Sequence, residues 1–172
     1  MKVMAIDAST KSTGVAIFDN GNLITYKCLT CSDKNALDRI PKMVQMIMNM
    51  YNQSEIDKVI MEDVIPEDVN HNDKTFKPLI YLQGLIRIEM NKFNQEVEFY
   101  ISSEWRKKCG IKTGPGITRG MLKSAAMRLV ASQYGVAAND DICDAICIGY
   151  AYTHDTPIIV KEIITSNGFE FK

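Results

Sequence analysis

The sequence predicts an α/β domain with a five-stranded mixed sheet flanked by helices. The chain opens with apolar runs joined by a strong hairpin signal, and later β-rich runs alternate with amphipathic helices. It has 172 residues, of which 46% are hydrophobic, and no linker or internal repeat divides it. We therefore expect a single domain over 1–172, with a core at about 1–155 and a tail at 156–172 of unassigned role.

The amino-terminal segment predicts an antiparallel meander of three strands. Residues 2–6 are an apolar run that ends at Asp7, and residues 14–18 follow after a polar turn. Residues 19–22 read Asp-Asn-Gly-Asn, and Asn-Gly accepts the positive φ angles that a two-residue hairpin turn requires. Residues 23–29 then return as the third strand.

A helix and a fourth strand follow the meander. Apolar side chains recur at helical spacing over 33–52, where Pro41 implies a kink or a late start. The β-rich run 58–63 carries Glu62 near its end. Because a helical crossover precedes this run, we expect it to pair in parallel with the first strand.

The second half adds another strand and three helices. Residues 75–94 predict a helix with Pro78 in its first turn, where proline is tolerated, and 97–101 predict the fifth strand. Thr118 can cap a further helix, and Gly135 is its stop signal. A final apolar helix follows, which Pro157 is expected to end.

Two carboxylates begin that final helix. Asp141 and Asp144 are three residues apart and so share one helix face, where their charges repel. A divalent metal ion would relieve that repulsion. The alternative is that they are ordinary first-turn aspartates, which the helix dipole favours. Asp140 is the other candidate for the first position, but its spacing from Asp144 favours Asp141.

Two more carboxylates are expected at the same place. Asp7 and Glu62 end strands that we predict to be neighbours, and the carboxyl ends of parallel strands meet at one sheet edge. A helix packed on that edge would add Asp141 and Asp144. Four clustered acids destabilise a site without cations, so the arrangement suits two Mg²⁺ ions, with Mn²⁺ as a substitute.

The net charge of −1 conceals a basic segment, residues 105–128. It holds seven of the 20 cations and no acid, so 13 cations are left to balance 21 acids elsewhere. This asymmetry is typical of a protein that binds a polyanion on one surface, although a solvated basic helix face would give the same pattern. The seven cations are Arg106, Lys107, Lys108, Lys112, Arg119, Lys123 and Arg128.

The five cysteines and the apolar runs indicate a reduced, cytoplasmic protein. Cys28 and Cys31 form a C-x-x-C pair, but no second pair has matching spacing, which disfavours zinc. Charges interrupt every apolar run before membrane-spanning length, and the first residues lack a signal-peptide pattern. We therefore predict no membrane partner.

The ordered acids resemble the RuvC family of Holliday-junction resolvases, within the RNase H-like superfamily. The resemblance rests on an Asp closing the first strand, a Glu closing the fourth and D-x-x-D-A opening the last helix, and it covers residues 1–154. The segment 103–106 and Lys123 fall near the family's DNA-contacting positions. The residues that fall on the family's four metal-binding positions are Asp7, Glu62, Asp141 and Asp144.

Three departures indicate a divergent, phage-type branch, which would act in the host cytoplasm. Residues 7–9 read Asp-Ala-Ser where the family usually has Asp-Pro-Gly. Ile65 stands where some members insert an aromatic side chain into the junction. The stretch between Arg106 and Lys123 is longer than usual and contains Gly-Pro-Gly.

The resemblance implies a homodimer that cuts opposed strands of a four-way DNA junction with two metal ions, leaving 5′-phosphate and 3′-hydroxyl ends. Asp7 would bridge the ions, Arg106 and Lys123 would neutralise nearby phosphates, and the other cations would contact the duplex arms. The alternatives are a broader fork and flap nuclease, a ribonuclease H, an actin-like phosphotransferase fragment and an inactive DNA-binding module. We expect Trp105 in the core rather than stacked on a base.

Overall fold

A computed structural model describes residues 1–64 and 73–154. The sequence predictions for Ile65, Pro157 and the tail 156–172 lie outside these ranges. The elements, in chain order, are β1 Lys2–Asp7, β2 Ser12–Asp19, β3 Asn22–Thr30, α1 Ala36–Asn52, β4 Lys58–Glu62, α2 Asp73–Asn91, β5 Val97–Tyr100, α3 Ser102–Lys108, α4 Arg119–Tyr134 and α5 Asp140–Thr153.

The strands form the predicted five-stranded mixed sheet, in the order β3-β2-β1-β4-β5. Strand β1 pairs antiparallel with β2 and parallel with β4, and β4 pairs parallel with β5. The turn between β2 and β3 has positive φ at both central residues, 48° at Asn20 and 82° at Gly21. These angles match the two-residue hairpin that Asn-Gly favours.

Helices cover both faces of the sheet. Helices α1 and α2 pack on one face, where buried Met43, Ile47 and Ile86 join a core with Val15 and Ile17 of β2. Helix α5 covers the other face and is flanked there by α3 and α4. Within the described ranges, no helix is long and apolar enough to span a membrane.

Glycines stand at two of the contacts between helix α5 and the sheet. A Cβ atom added to Gly14 of β2 would lie 1.8 Å from the carbonyl oxygen of Asp141, and one added to Gly149 would lie 2.2 Å from the Phe18 ring. Neither distance is compatible with a side chain. The backbone of α5 therefore contacts the backbone of β2 at Gly14 and the Phe18 ring at Gly149, and the contact at Gly14 determines where the start of the helix is placed.

Several predicted helix boundaries were wrong by a few residues. Helix α1 begins at Ala36, where the Asn35 side chain caps it, so Pro41 is its sixth residue and does not start it. Pro78 likewise stands in the second turn of α2, because that helix begins at Asp73.

The caps of α4 agree with the sequence prediction. The Thr118 side chain accepts a hydrogen bond from the backbone N–H of Met121. Gly135 adopts the left-handed conformation with φ of 65°, which ends the helix.

Candidate active site

The first two acids of the site leave the sheet side by side. Asp7 is the last residue of β1 and Glu62 the last residue of β4. The parallel register pairs Ile6 with Met61, so the next residue of each strand emerges at the same edge.

Helix α5 brings its acids to this edge through Gly14. Gly14 pairs with Asp7 across the β1–β2 ladder, and it is also where the backbone of Asp141 touches the sheet. The helix begins at Asp140, where the Asn139 side chain accepts a hydrogen bond of 3.1 Å from the N–H of Ile142. We call the residues that come together here the acid cluster: Asp7, Glu62, Asp141 and Asp144.

The carboxyl of Asp7 is affected by the charges of all the other acids in the cluster. Burial raises the pKa of its carboxyl well above the ordinary value, and the charges of Glu62, Asp144 and Asp141 raise it further. Within 1–64 and 73–154, its carboxyl forms no hydrogen bond or ion pair. Among the described residues, no cation therefore forms an ion pair with this carboxyl.

Asp144 is in a similar environment. Burial, followed by the charge of Glu62, raises the pKa of its carboxyl to about 7, while the guanidinium of Arg106 and the amine of Lys123 oppose that rise. The two cations leave much of the repulsion uncompensated. A pair of carboxyls with raised pKa values at one sheet edge is the environment that a divalent cation would stabilise.

The remaining acids have partners on the protein. The Ser12 hydroxyl donates a hydrogen bond to Asp141. The Trp105 indole N–H donates to Oε2 of Glu62 at 2.9 Å. Lys123 forms an ion pair with Asp140. The hydrogen bond that the Lys123 amine donates to the Asp140 carboxyl is the main reason why the pKa of Asp140 is lowered.

The acid cluster can be examined as a possible set of metal ligands. In the ranges that the structure describes, no three His, Cys, Asp or Glu side chains stand together as a ready set of metal ligands. The donor chemistry nevertheless fits, because the acid cluster offers carboxylate oxygens, the ligands that Mg²⁺ prefers, and two of these carboxyls have raised pKa values. The residues that would hold the ions are Asp7, Glu62, Asp141 and Asp144.

The cations of the basic segment divide into two groups. Arg106 lies over the Trp105 ring at 4.6 Å, Lys108 lies over the Tyr100 ring at 5.1 Å, and Lys123 pairs with Asp140. The side chains of the second group are exposed on α3, α4 and the loop between them: Lys107, Lys112, Arg119 and Arg128. The second group is thus available to an external anion, while Arg106 and Lys123 border the acid cluster.

Three contributors to the site were missed in the sequence analysis. Trp105 is fully buried, as expected of a core residue, but its bond to Glu62 was not foreseen. Ser12 gave no sequence signal, because a serine after a turn is common. Gly14 did carry one, since glycine inside a strand often marks a close backbone approach.

The thiols of the C-x-x-C pair have separate partners. Cys28 lies 3.1 Å from the Ser12 hydroxyl and also accepts a hydrogen bond from Asn139. Cys31 donates to Asp33 at 3.0 Å. Cys28 is thus part of the hydrogen-bond network beneath Asp141.

The fold is similar to those of RuvC proteins. The T. thermophilus RuvC structure in complex with a Holliday junction substrate matches with a TM-score of 0.70 and 13% identity, over 88% of this chain and 91% of that one. A further Thermus thermophilus RuvC structure matches with a TM-score of 0.68 and 12% identity, over 88% and 92% of the two chains. The yeast mitochondrial Holliday junction resolvase matches with a TM-score of 0.54 and 11% identity, over 88% and 77%.

These likenesses define the class of fold. No protein-family model matches the sequence, and no curated protein matches it either. At 11–13% identity the structural similarity establishes the fold alone. The chain therefore has the fold of the RuvC structures, which confirms the fold that the resemblance implied.

Proposed function

We propose that this protein is a metal-dependent endonuclease that cuts four-way DNA junctions. The observation that supports this most is the acid cluster itself, drawn from β1, β4 and α5 at one edge of a RuvC-like sheet. Helices α3 and α4, which carry most of the basic segment, border the same edge. Negative charge for metal ions and positive charge for phosphates thus stand side by side.

The acid cluster would hold two Mg²⁺ ions, with Mn²⁺ as a substitute. Bound ions would supply the charge needed for in-line attack of water on a phosphodiester, leaving 5′-phosphate and 3′-hydroxyl ends. Asp7 is the best placed to bridge two ions, because its carboxyl is influenced by all the other acids. The Ser12 hydroxyl would orient Asp141, and Lys123 would keep Asp140 paired outside the ligand set.

The cations would position the DNA. Arg106 and Lys123 border the acid cluster, so they are the candidates to contact phosphates next to the cut. The exposed group on α3, α4 and their loop would contact phosphates along the duplex arms. Such contacts fix position without reading sequence, and they make affinity strongly dependent on salt.

Cutting two opposed strands requires two active sites, which a homodimer would supply. Helix α2 presents a suitable surface, because Ile80, Tyr81 and Ile88 are 42%, 55% and 57% exposed on its outer side. Gly84 lies among them with open space around it, so a second helix could approach closely. We propose that two copies pair through this face of α2.

A cleavage assay tests the nuclease function. Labelled four-way junctions, forks, flaps, linear duplexes and RNA–DNA hybrids are incubated with Mg²⁺ and resolved on a denaturing gel. We expect paired cuts in the four-way junction, abolished by Asp7→Asn and Asp144→Asn but retained by Asp38→Asn, an exposed acid of α1. Junction cleavage that survives in both cluster variants would refute the role of the acid cluster.

The substrate panel also separates the alternatives. Equal cutting of forks and flaps would identify a broader branched-DNA nuclease, and cutting confined to hybrids would identify a ribonuclease H. Junction binding without cutting by the wild-type protein would identify a DNA-binding module.

Sedimentation tests the dimer. We expect the wild-type protein to sediment as a dimer at micromolar concentration and Ile88→Asp to sediment as a folded monomer. A wild-type protein that remains monomeric both alone and with junction DNA would contradict paired incision.

A further inference from the structure

The single tryptophan of the chain, Trp105, forms a hydrogen bond with Glu62 of the acid cluster. Trp105 stands in α3, directly after β5, and its side chain has no solvent exposure. A buried indole N–H requires an acceptor, and here the acceptor is Oε2 of Glu62 at 2.9 Å. A hydrogen bond from a buried donor to a carboxylate is stronger than one between neutral groups, so it constrains the orientation of the Glu62 side chain.

The indole is itself held in place. The guanidinium of Arg106 lies 4.6 Å from the centre of the Trp105 ring, where cation–π attraction stabilises the pair. Core residues of α5 and the sheet enclose the other parts of the side chain. Trp105 is therefore a rigid donor to the Glu62 carboxylate.

The backbone at Glu62 is fixed from two further directions. The buried side chain of Gln83 in α2 donates a hydrogen bond of 2.7 Å to the Glu62 carbonyl oxygen. The N–H of Asp63 donates to the carbonyl of Tyr100 at 2.8 Å. With the backbone held by α2 and β5 and the carboxylate held by α3, Glu62 has little conformational freedom left.

We infer that Trp105 is a positioning residue that presents the Glu62 carboxylate to a divalent cation. This inference rests on the proposed function, since it assigns Trp105 a role toward the same metal ions. Outer donors of this kind orient metal ligands, and their loss commonly weakens metal binding by about 10- to 100-fold. A tryptophan that only fills the core would lack this effect.

The geometry also makes Trp105 a reporter. Because it is the only tryptophan, all indole emission of the protein comes from one ring that is one hydrogen bond away from Glu62. A cation that binds Glu62 alters the charge at that acceptor and hence the emission of the ring. Glu62→Gln keeps the shape of the side chain but removes its charge, so it is the matched control for this signal.

The test measures cation binding directly, without a cleavage assay. Binding of Mn²⁺ to metal-free wild-type, Trp105→Phe and Asp38→Asn proteins is followed by the electron paramagnetic resonance signal of free Mn²⁺. Tryptophan emission of wild-type and Glu62→Gln proteins is followed during titration with Mg²⁺. Circular dichroism checks the fold of each variant.

We expect Trp105→Phe to bind Mn²⁺ at least about tenfold more weakly than wild type, while Asp38→Asn binds as wild type does. We also expect a saturable change of wild-type emission with Mg²⁺ that Glu62→Gln largely loses. If Trp105→Phe fails to fold, the emission titrations of the two folded proteins decide the matter.

Two results would overturn the inference alone. One is wild-type affinity for Mn²⁺ in folded Trp105→Phe, and the other is wild-type emission that Mg²⁺ leaves unchanged although Mn²⁺ binds at the acid cluster. A wild-type protein that binds neither ion would overturn the proposed metal-dependent function and this inference with it.

Discussion

The two faces of the sheet are packed in different ways. On the face covered by α1 and α2, long side chains such as Met43, Met48 and Ile86 fill the space between helix and strand. On the face covered by α5, Gly14 lets the helix backbone contact the backbone of β2, and Gly149 lets it contact the Phe18 ring. The acid cluster belongs to the second face.

This difference explains how closely each layer of helices is positioned against the sheet. Methionine is unbranched and adaptable, so a core of methionines tolerates small shifts between helix and sheet. A contact between backbone atoms tolerates almost none, because no rotamer can absorb a change in spacing. The contact of Gly14 with Asp141 thus determines where the carboxylates of α5 stand relative to Asp7.

The largest effect is expected from Gly14→Ala. Its Cβ would lie 1.8 Å from a backbone oxygen of Asp141, so α5 must move or the strand must distort. We expect a loss of at least about 2–3 kcal/mol of unfolding free energy in urea titrations, together with loss of Mg²⁺-dependent cutting.

The matched control is Gly84→Ala on the other face, and both alanine variants are compared in the Ile88→Asp background, because Gly84 lies in the surface of α2 that we propose pairs two copies. No atom lies within 4 Å of its added Cβ, and alanine is favoured over glycine in a helix. We expect this variant to gain about 0.5–1 kcal/mol of unfolding free energy. If Gly14→Ala and Gly84→Ala had equal unfolding free energies, the proposed difference in packing between the two faces of the sheet would be contradicted.

An intermediate effect is expected from Asp144→Asn, with metal removed by EDTA. Burial and the charge of Glu62 raise the pKa of Asp144 to about 7, so at pH 8 folding must bury a charged carboxylate that repels its neighbours. The substitution removes this cost, and we expect a gain of about 1–2 kcal/mol of unfolding free energy at pH 8.

The gain should depend on pH in one direction. A folded-state pKa raised from 3.8 to about 7 means that the folded protein binds this proton more tightly than the unfolded chain does. The contribution of the Asp144 carboxyl to wild-type stability is therefore fully present below about pH 3.8 and is lost as the pH rises toward 7. A gain in Asp144→Asn that is as large at pH 4 as at pH 8 would contradict this explanation.

The smallest effect is expected from Met43→Leu. The side chain is fully buried on the α1 and α2 face, but leucine has nearly the same volume and neighbouring side chains can adjust. We expect a change below about 1.5 kcal/mol and an unaltered cleavage rate. A large loss of cleavage in this variant would show that the adaptable face also positions the site.

Much of the fold could be predicted from local chemistry. The hairpin could be predicted from Asn20 and Gly21, and the limits of α4 from Thr118 and Gly135. The parallel pairing of β4 with β1 could be predicted from the helical crossover between them. Helix starts near Pro41 and Pro78 could not be placed, because proline is compatible with several positions near a helix start and tertiary packing selects among them.

The acids could be predicted better than their partners. The parallel register alone brings Asp7 beside Glu62, since both end neighbouring strands. The bonds of Ser12 to Asp141 and of Trp105 to Glu62 join residues that are 129 and 43 positions apart, and they depend on side-chain conformations that no local pattern encodes. The roles assigned to the acid cluster and the basic segment remain predictions.

The central claim is that the acid cluster binds divalent cations, and anomalous diffraction from crystals soaked in Mn²⁺ tests it most directly. We expect anomalous density about 2.0–2.3 Å from a carboxylate oxygen of Asp7 and from oxygens of at least two other members of the cluster. Well-diffracting crystals with no anomalous density near Asp7, or with Mn²⁺ bound only elsewhere, would contradict the account.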